Sequence, residues 1–250
     1  MNFEERKREI LKLTEAHSSV SVAMLAKNLH TSAITIRRDL AVLAGNGLLY
    51  RTHGGAMKVN EAVATAGYID KSIINAQAKD VICKKAATFI KDGDIIFMDC
   101  GSTVSRLCAY IKYRKIRVVT NSLPVVYELM NSSVQLTVTG GQVDKERRAI
   151  HGVMALEQIA RYKCDKAFIG VDGISLAKGL SAKTEKEAGV TKAIASGAGE
   201  VFLLCDSGKL EKDQYFQFGS LNMINYLVTD GNADKKLLQR YTKRGIHVIV

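Results

Sequence analysis

Runs of small polar residues recur along the C-terminal two thirds of this sequence: Asp99-Cys100-Gly101-Ser102-Thr103, Thr120-Asn121-Ser122, Thr139-Gly140-Gly141, Gly170-Val171-Asp172-Gly173 and Asp206-Ser207-Gly208-Lys209. Each follows an apolar run. Glycine lets backbone amides approach a bound group closely, Ser and Thr hydroxyls supply further donors, and such a set can enclose an oxyanion. Gly101-Ser102-Thr103 precedes a stretch expected to be helical from Val104, whose N-terminus would face the same anion, and Lys209 brings a full positive charge. Singly, each run reads equally well as a cap, a turn or a bend. Their recurrence after apolar runs is what points to an anion of phosphate size. The candidate ligand residues are Asp99, Gly101, Ser102, Thr103, Asn121, Ser122, Gly140, Gly141, Asp172, Gly173 and Lys209, with Lys79 and Glu187 as secondary candidates.

Near the N-terminus a different chemistry is encoded. With Ile36, Leu40 and Leu43 turned inward, a helix through this segment carries Ile34, Arg38 and Ala41 on its opposite face and Thr35 and Arg37 on the flanks. Arginine can clamp phosphates or pair with guanine, and an exposed aliphatic group can pack on a thymine methyl. Ile34 has an alternative, packing on a wing or on the first helix. Solvated charge is the alternative for Arg37 and Arg38. Ser32 and Ala33 open the same helix. Further on, Arg51 and His53 could reach the DNA backbone or minor groove, or His53 could instead brace its turn.

The elements that must position these groups differ between the two ends of the chain. Ile10, Leu11, Leu13 and Ala16, then Val22, Leu25, Ala26 and Leu29, then Ile36, Leu40 and Leu43 mark three short amphipathic helices able to close on one core. The loop His17–Ser21 offers serines to cap the second helix, and Thr31 or Ser32 can cap the third. Leu48 to Thr52 followed by His53-Gly54-Gly55 suits a short strand and a glycine turn, the pattern of a β-wing. Residues 59–72 read as a linker. From residue 73, helices alternate with apolar strand candidates at Asp94–Met98, Arg117–Thr120, Gln135–Thr139, Lys166–Gly170, Val201–Asp206, Tyr226–Thr229 and Ile246–Val250. That alternation predicts an open α/β sheet covered on both faces, with the polar runs converging beyond the carboxyl ends of its strands.

Composition permits this division and excludes others. Of the formal net charge of +11, residues 1–58 carry +4 (nine Lys/Arg, five Asp/Glu), which leaves +7 for the remainder. Basicity is therefore spread along the chain, and charge alone does not single out nucleic acid. No run is apolar enough to span a membrane and the start has no targeting pattern, so a cytoplasmic protein without a membrane partner is expected. The cysteines Cys83, Cys100, Cys108, Cys164 and Cys205 are odd in number and widely spread, without metal-ligand spacing. They read as buried reduced thiols; no metal site and no cofactor is expected.

The run Thr31-Ser32-Ala33-Ile34-Thr35-Ile36-Arg37-Arg38-Asp39-Leu40, with Leu43, Gly47-Leu48-Leu49 and Arg51-Thr52-His53-Gly54-Gly55-Ala56, closely resembles the signature of DeoR/GlpR-type bacterial regulators of sugar metabolism. Thr31 departs from the family's usual Val. The resemblance extends through Asn75, Lys79, the Asp99-x-Gly-Ser-Thr loop, Thr120-Asn121-Ser122, Gly140-Gly141, Phe168-Ile169-Gly170 and Glu187-Ala188. Asp206-Ser207-Gly208-Lys209 is similar to the family's Asp-Ser-Ser-Lys, with Gly208 in place of a serine.

Several expectations follow from this resemblance. It implies a winged helix-turn-helix over 1–58 whose operator choice depends on Ala33 and Ile34. It also implies an effector domain over 73–250, similar in fold to ribose-5-phosphate isomerase and responsive to a phosphorylated sugar. The expected partners are double-stranded operator DNA and a second copy or more, as a homodimer or homotetramer. The expected function is repression of a carbohydrate catabolic operon, relieved by the sugar phosphate. The rival expectation, a sugar-phosphate isomerase, needs a general base poised over the substrate carbon. Isomerases of similar fold carry acids directly after the Asp-Gly turn. Here Asp172-Gly173 runs into Ile174-Ser175-Leu176-Ala177-Lys178, so no catalytic residue is expected.

Overall fold

Helices α1 (Phe3–His17), α2 (Val22–Asn28) and α3 (Ala33–Gly45) meet through Ile10, Leu25, Ile36, Leu40 and Leu43, all fully buried. The computed structural model describes residues 2–17, 19–45, 48–52, 54–57, 71–72 and 74–250. It separates into two units, residues 1–77 and 78–250. His53 and most of the expected linker, 59–70, lie outside the described residues. Ser21 caps α2 by accepting from the Met24 amide at 3.1 Å, and Ser32 caps α3 by accepting from the Thr35 amide at 3.1 Å. Each cap satisfies one amide that the first helical turn leaves without a partner.

The wing is larger than expected. Strands β1 (Ser19–Ser21), β2 (Tyr50–Arg51) and β3 (Gly55–Met57) form an antiparallel sheet in the order β1-β3-β2. The segment read as a loop thus contributes an edge strand; with only Val20 buried among its three residues, it is too short to show alternation. Close approach fixes Gly55. A Cβ there would lie 1.8 Å from the Val20 carbonyl oxygen, inside the β1–β3 pair. Gly55→Ala is accordingly expected to destabilise the N-terminal unit by about 1–3 kcal/mol, in the range of overpacking. In a module of this size that lowers its melting midpoint by at least roughly 5 °C, measured by circular dichroism of the full chain; an unchanged midpoint would contradict the strand pairing.

In the C-terminal unit seven strands form one sheet. They are β4 (Ile95–Met98), β5 (Arg117–Thr120), β6 (Gln135–Val138), β9 (Cys164–Ile169), β12 (Ala198–Leu204), β14 (Tyr226–Val228) and β15 (His247–Ile249), in the order β15-β14-β12-β9-β4-β5-β6. Every neighbouring pair is parallel. Successive residues of the central strands enter opposite layers: Phe97, Ala167, Ile169 and Leu203 face one core, Ile96, Met98, Phe168 and Phe202 the other. Helices α4 (Ala76–Ala87) and α6 (Leu123–Leu129) cover the second; α7 (Val153–Ile159), α8 (Glu185–Ser196) and α9 (Lys235–Thr242) cover the first. Burial on both faces explains the unbroken apolar strands of the sequence.

Two additions escaped the periodicity. One is a hairpin of β7 (Gln142–Asp144) and β8 (Ala149–His151); the other is a small sheet of β10 (Gly173–Ser175), β11 (Gly179–Ala182) and β13 (Phe216–Gly219). Residues of β10 and β11 are all buried and include glycine, serine and alanine, so neither strand alternates.

Candidate functional site

On α3 the outward residues are Ile34, Arg37, Arg38, Ala41 and Val42. Ile34 is 77 % exposed, so it packs on neither the wing nor α1. Asp39, the sole acid of this helix, is withdrawn: Arg6 of α1 grips its carboxylate through Nε at 2.6 Å and Nη2 at 3.2 Å. A cationic and apolar face is left, with no carboxylate to repel phosphate. Arg6 is a positioning residue that pattern reading passed over, because its partner lies 33 positions away. Thr35 is half-buried and shares a hydroxyl contact of 2.9 Å with Ser32, so that pair is occupied in capping; Ala33 lies beside it at the helix start and Arg51 is exposed on the wing.

Beyond the carboxyl ends of the parallel strands, the sheet has one point where its order reverses. From β4 the chain moves outward through β5 to β6, then returns to β9 on the other flank of β4 and continues through β12, β14 and β15. Open α/β sheets bind ligands at such reversals. Here the loops after β4 and β9 come together: a Cβ on Gly101 would lie 3.5 Å from Gly170 Cα. Asp99 organises this junction. Its buried carboxylate accepts from the Cys100 amide at 2.7 Å, the Thr191 hydroxyl at 3.0 Å and the Gly170 amide, while burial raises its pKa. Ser102 accepts from the buried Lys79 ammonium at 3.3 Å, which brings a cation onto the Gly101 loop. The helix expected at Val104 is a 3-10 turn, Val104–Leu107, running into a single α-turn, α5 (Cys108–Ile111). Its aligned dipole is correspondingly short, so loop amides, hydroxyls and Lys79 are the groups there that could meet an anion.

The other predicted residues divide. Asn121 is fully buried: its side-chain Nδ2 donates to the Ile150 carbonyl at 3.2 Å, and the Ile150 amide donates to the Asn121 backbone carbonyl at 2.8 Å. Ser122 is spent as the cap of α6. The Gly140 amide is taken by Gln158 Oε1 at 2.7 Å, and Gly141, at φ 140°, turns the chain into the β7–β8 hairpin. Asp172 holds the hairpin tip through Arg147 Nη2 at 3.1 Å and also accepts from the Lys183 amide at 3.2 Å. Gly173 is locked into β10, where a Cβ would meet the Lys212 carbonyl at 2.3 Å. Lys209 reaches the β9 end, donating to the Val171 carbonyl at 2.8 Å, and Glu187 is buried against Arg147 Nε. Arg147, His151 and Thr191 were missed. They come from the hairpin and from the middle of α8, with no glycine-serine signature of their own.

Four of the five thiols are buried as the sequence suggests, and Cys100 is half-buried. All are unpaired, and burial pushes Cys83, Cys108 and Cys205 up to about 12 and Cys164 up to about 11; burial and then Asp99 raise Cys100 well above the ordinary thiol range. Since the thiolate is the nucleophile, the folded chain at pH 8 is expected to react with a disulfide reagent at none of these sites within minutes, and at all of them in denaturant. Rapid labelling of one thiol in the native chain would contradict this.

Comparison with known proteins bears on both units. Residues 6–62 match the DeoR-like helix-turn-helix domain and residues 74–231 the DeoR C terminal sensor domain. The HTH-type transcriptional regulator GlpR of Haloferax volcanii is 31% identical over 98% of this chain and 96% of its own length. The lactose phosphotransferase system repressor of Lactococcus lactis subsp. lactis is 32% identical over 97% of each chain. Among solved structures, ribose 5-phosphate isomerase A of Methanocaldococcus jannaschii overlaps 54% of this chain and 55% of its own at 20% identity and a TM-score of 0.41.

Proposed function

As the chain belongs to the DeoR family of transcriptional regulators, we propose that it binds operator DNA through α3 and represses a carbohydrate catabolic operon until a phosphorylated sugar enters the strand-end crevice. The observation that carries the DNA-binding half is the exposed face of Ile34, Arg37 and Arg38 from which Asp39 has been removed. The sensor half is supported by Lys79, Ser102 and Gly101 meeting Gly170 at the reversal of strand order. The division of labour is a winged helix-turn-helix over 1–58, a linker over 59–72 and an effector domain over 73–250. Two reading heads per operator call for a homodimer or homotetramer, acting in the cytoplasm and needing no cofactor. Among the described residues no helix is long and apolar enough to cross a membrane.

Coupling is a matter of linkage. If the sugar phosphate favours an arrangement that misplaces the paired heads, it and DNA weaken one another's binding by the same factor. An isomerase reading finds no support in the acids near the Asp172 turn: Asp172 and Glu187 both hold Arg147, and Glu185 is exposed at the start of α8. The test selects a duplex from a random pool with the full chain, then adds a panel of sugar phosphates to the complex. Release by at least one of them, without isomerisation of ribose 5-phosphate, is the expected result. A chain that selects no duplex, or a complex that no sugar phosphate disturbs, would overturn the proposal.

A further inference from the structure

Buried polar atoms without a hydrogen-bond partner are costly, because burial strips them of water and returns no bond. Among the described residues this unit leaves several: Thr103 Oγ1, Asn121 Oδ1, Thr139 Oγ1, both ring nitrogens of His151, Glu187 Oε2 and Thr229 Oγ1. Asn121 and His151 belong together. Asn121 is bonded through backbone and side chain to Ile150, the residue before His151. The His151 ring, only 2 % exposed, lies at the end of β8, the strand whose Ala149 bridges to Ser122, the residue after Asn121. Burial, the largest influence, lowers its pKa, so near pH 7 the ring is neutral and offers one donor and one acceptor.

Chemically this pair differs from the Gly101 loop. Asn121 Oδ1 is an acceptor only. It would repel a phosphate or carboxylate oxygen and welcome a hydroxyl. Resting on the phosphosugar reading above, we infer that Asn121 and His151 are the specificity-determining pair of the crevice. They read hydroxyls on the carbohydrate part of the effector while the Gly101 loop and Lys79 hold its phosphate. The ligand class is then a phosphorylated polyol with at least two free hydroxyls, and phosphorylated carboxylic acids are rejected.

The test uses the full chain and calorimetric titration with glucose 6-phosphate, fructose 1-phosphate, ribose 5-phosphate, 3-phosphoglycerate and inorganic phosphate. The wild type is expected to bind its best sugar phosphate at least tenfold more tightly than 3-phosphoglycerate. His151→Phe keeps the ring's bulk and breaks no protein hydrogen bond. It should cost at least tenfold on that sugar phosphate and less than twofold on inorganic phosphate, and His151→Gln should restore part of the loss. An arm that needs no variant compares the best ligand with its deoxy analogues on the wild type, where at least one missing hydroxyl should cost tenfold. If the wild type binds sugar phosphates but His151→Phe and the deoxy analogues leave affinity unchanged, or if both probes weaken equally in His151→Phe, the inference fails alone. If no sugar phosphate binds the wild type, the phosphosugar reading fails and takes the inference with it.

Discussion

Truncation of both arginines, Arg37→Ala with Arg38→Ala, is expected to weaken binding to a selected duplex by roughly a hundredfold while leaving the melting of the chain unchanged. Each side chain is exposed on α3 and, among the described residues, neither makes a hydrogen bond that holds the N-terminal unit together, whereas the neighbouring Asp39 does. Alanine is also the better helix former, so the helix survives. A good paired contact to a base is worth about 1–3 kcal/mol, and two lost contacts multiply to the stated factor. Salt separates the roles. An arginine on phosphate contributes roughly 0.9 to the slope of log affinity against log salt, so its loss flattens the slope and weakens all sequences alike. An arginine on guanine relaxes preference at one position with less change in slope. Binding assays in a salt series, on the selected duplex and on variants of it, distinguish the two. A double variant within twofold of the wild type would remove α3 as the reading element.

How far the residues announced this architecture depends on what each element buries. The parallel strands were legible because both faces are covered and their apolar runs are unbroken: Asp94–Met98, expected as a strand, is β4 at Ile95–Met98, and Arg117–Thr120 is β5 without a change of boundary. Caps were legible where a serine precedes an apolar period, as at Ser21 and Ser32. The hairpin that carries Arg147 and His151 was not, since β7 is largely exposed and β8 wholly buried, a contrast set by the sheet's neighbours and not by local period. The candidate site was legible at its glycine loops and obscure in its ionic frame. Gly101 and Gly170 meet as loops at adjacent strand ends should. Arg147, by contrast, reaches Asp172 across 25 positions and Glu187 across a helix start, pairings that depend on tertiary structure alone. Ser122 and Gly140 carry structural roles that their types did not announce: the Ser122 hydroxyl accepts from the first turn of α6 as its cap, and the Gly140 amide donates to Gln158.

Blocking the reversal point should uncouple sensing from DNA binding. At position 101 a single Cβ would sit 3.4 Å from Val104 Cγ2 and 3.5 Å from Gly170 Cα, ordinary contact distances, so Gly101→Ala is tolerated. Valine adds two further methyl groups where the β4 and β9 loops already touch, filling the space through which loop amides would approach an anion. In the wild type, the most effective sugar phosphate at a hundred times its dissociation constant stabilises by about 2.7 kcal/mol. For a domain of this size that raises the melting midpoint by roughly 5–10 °C. Gly101→Val is expected to abolish that rise and with it the release of DNA, while affinity for the duplex without ligand stays within about twofold of the wild type. Gly101→Ala should retain most of both responses, which separates loss of space from loss of backbone freedom. Reciprocity supplies an internal check: in the wild type, saturating duplex must weaken the sugar phosphate by the factor by which the sugar phosphate weakens the duplex. A Gly101→Val chain that still releases DNA at wild-type ligand concentrations would move the sensing site away from the β4–β9 junction.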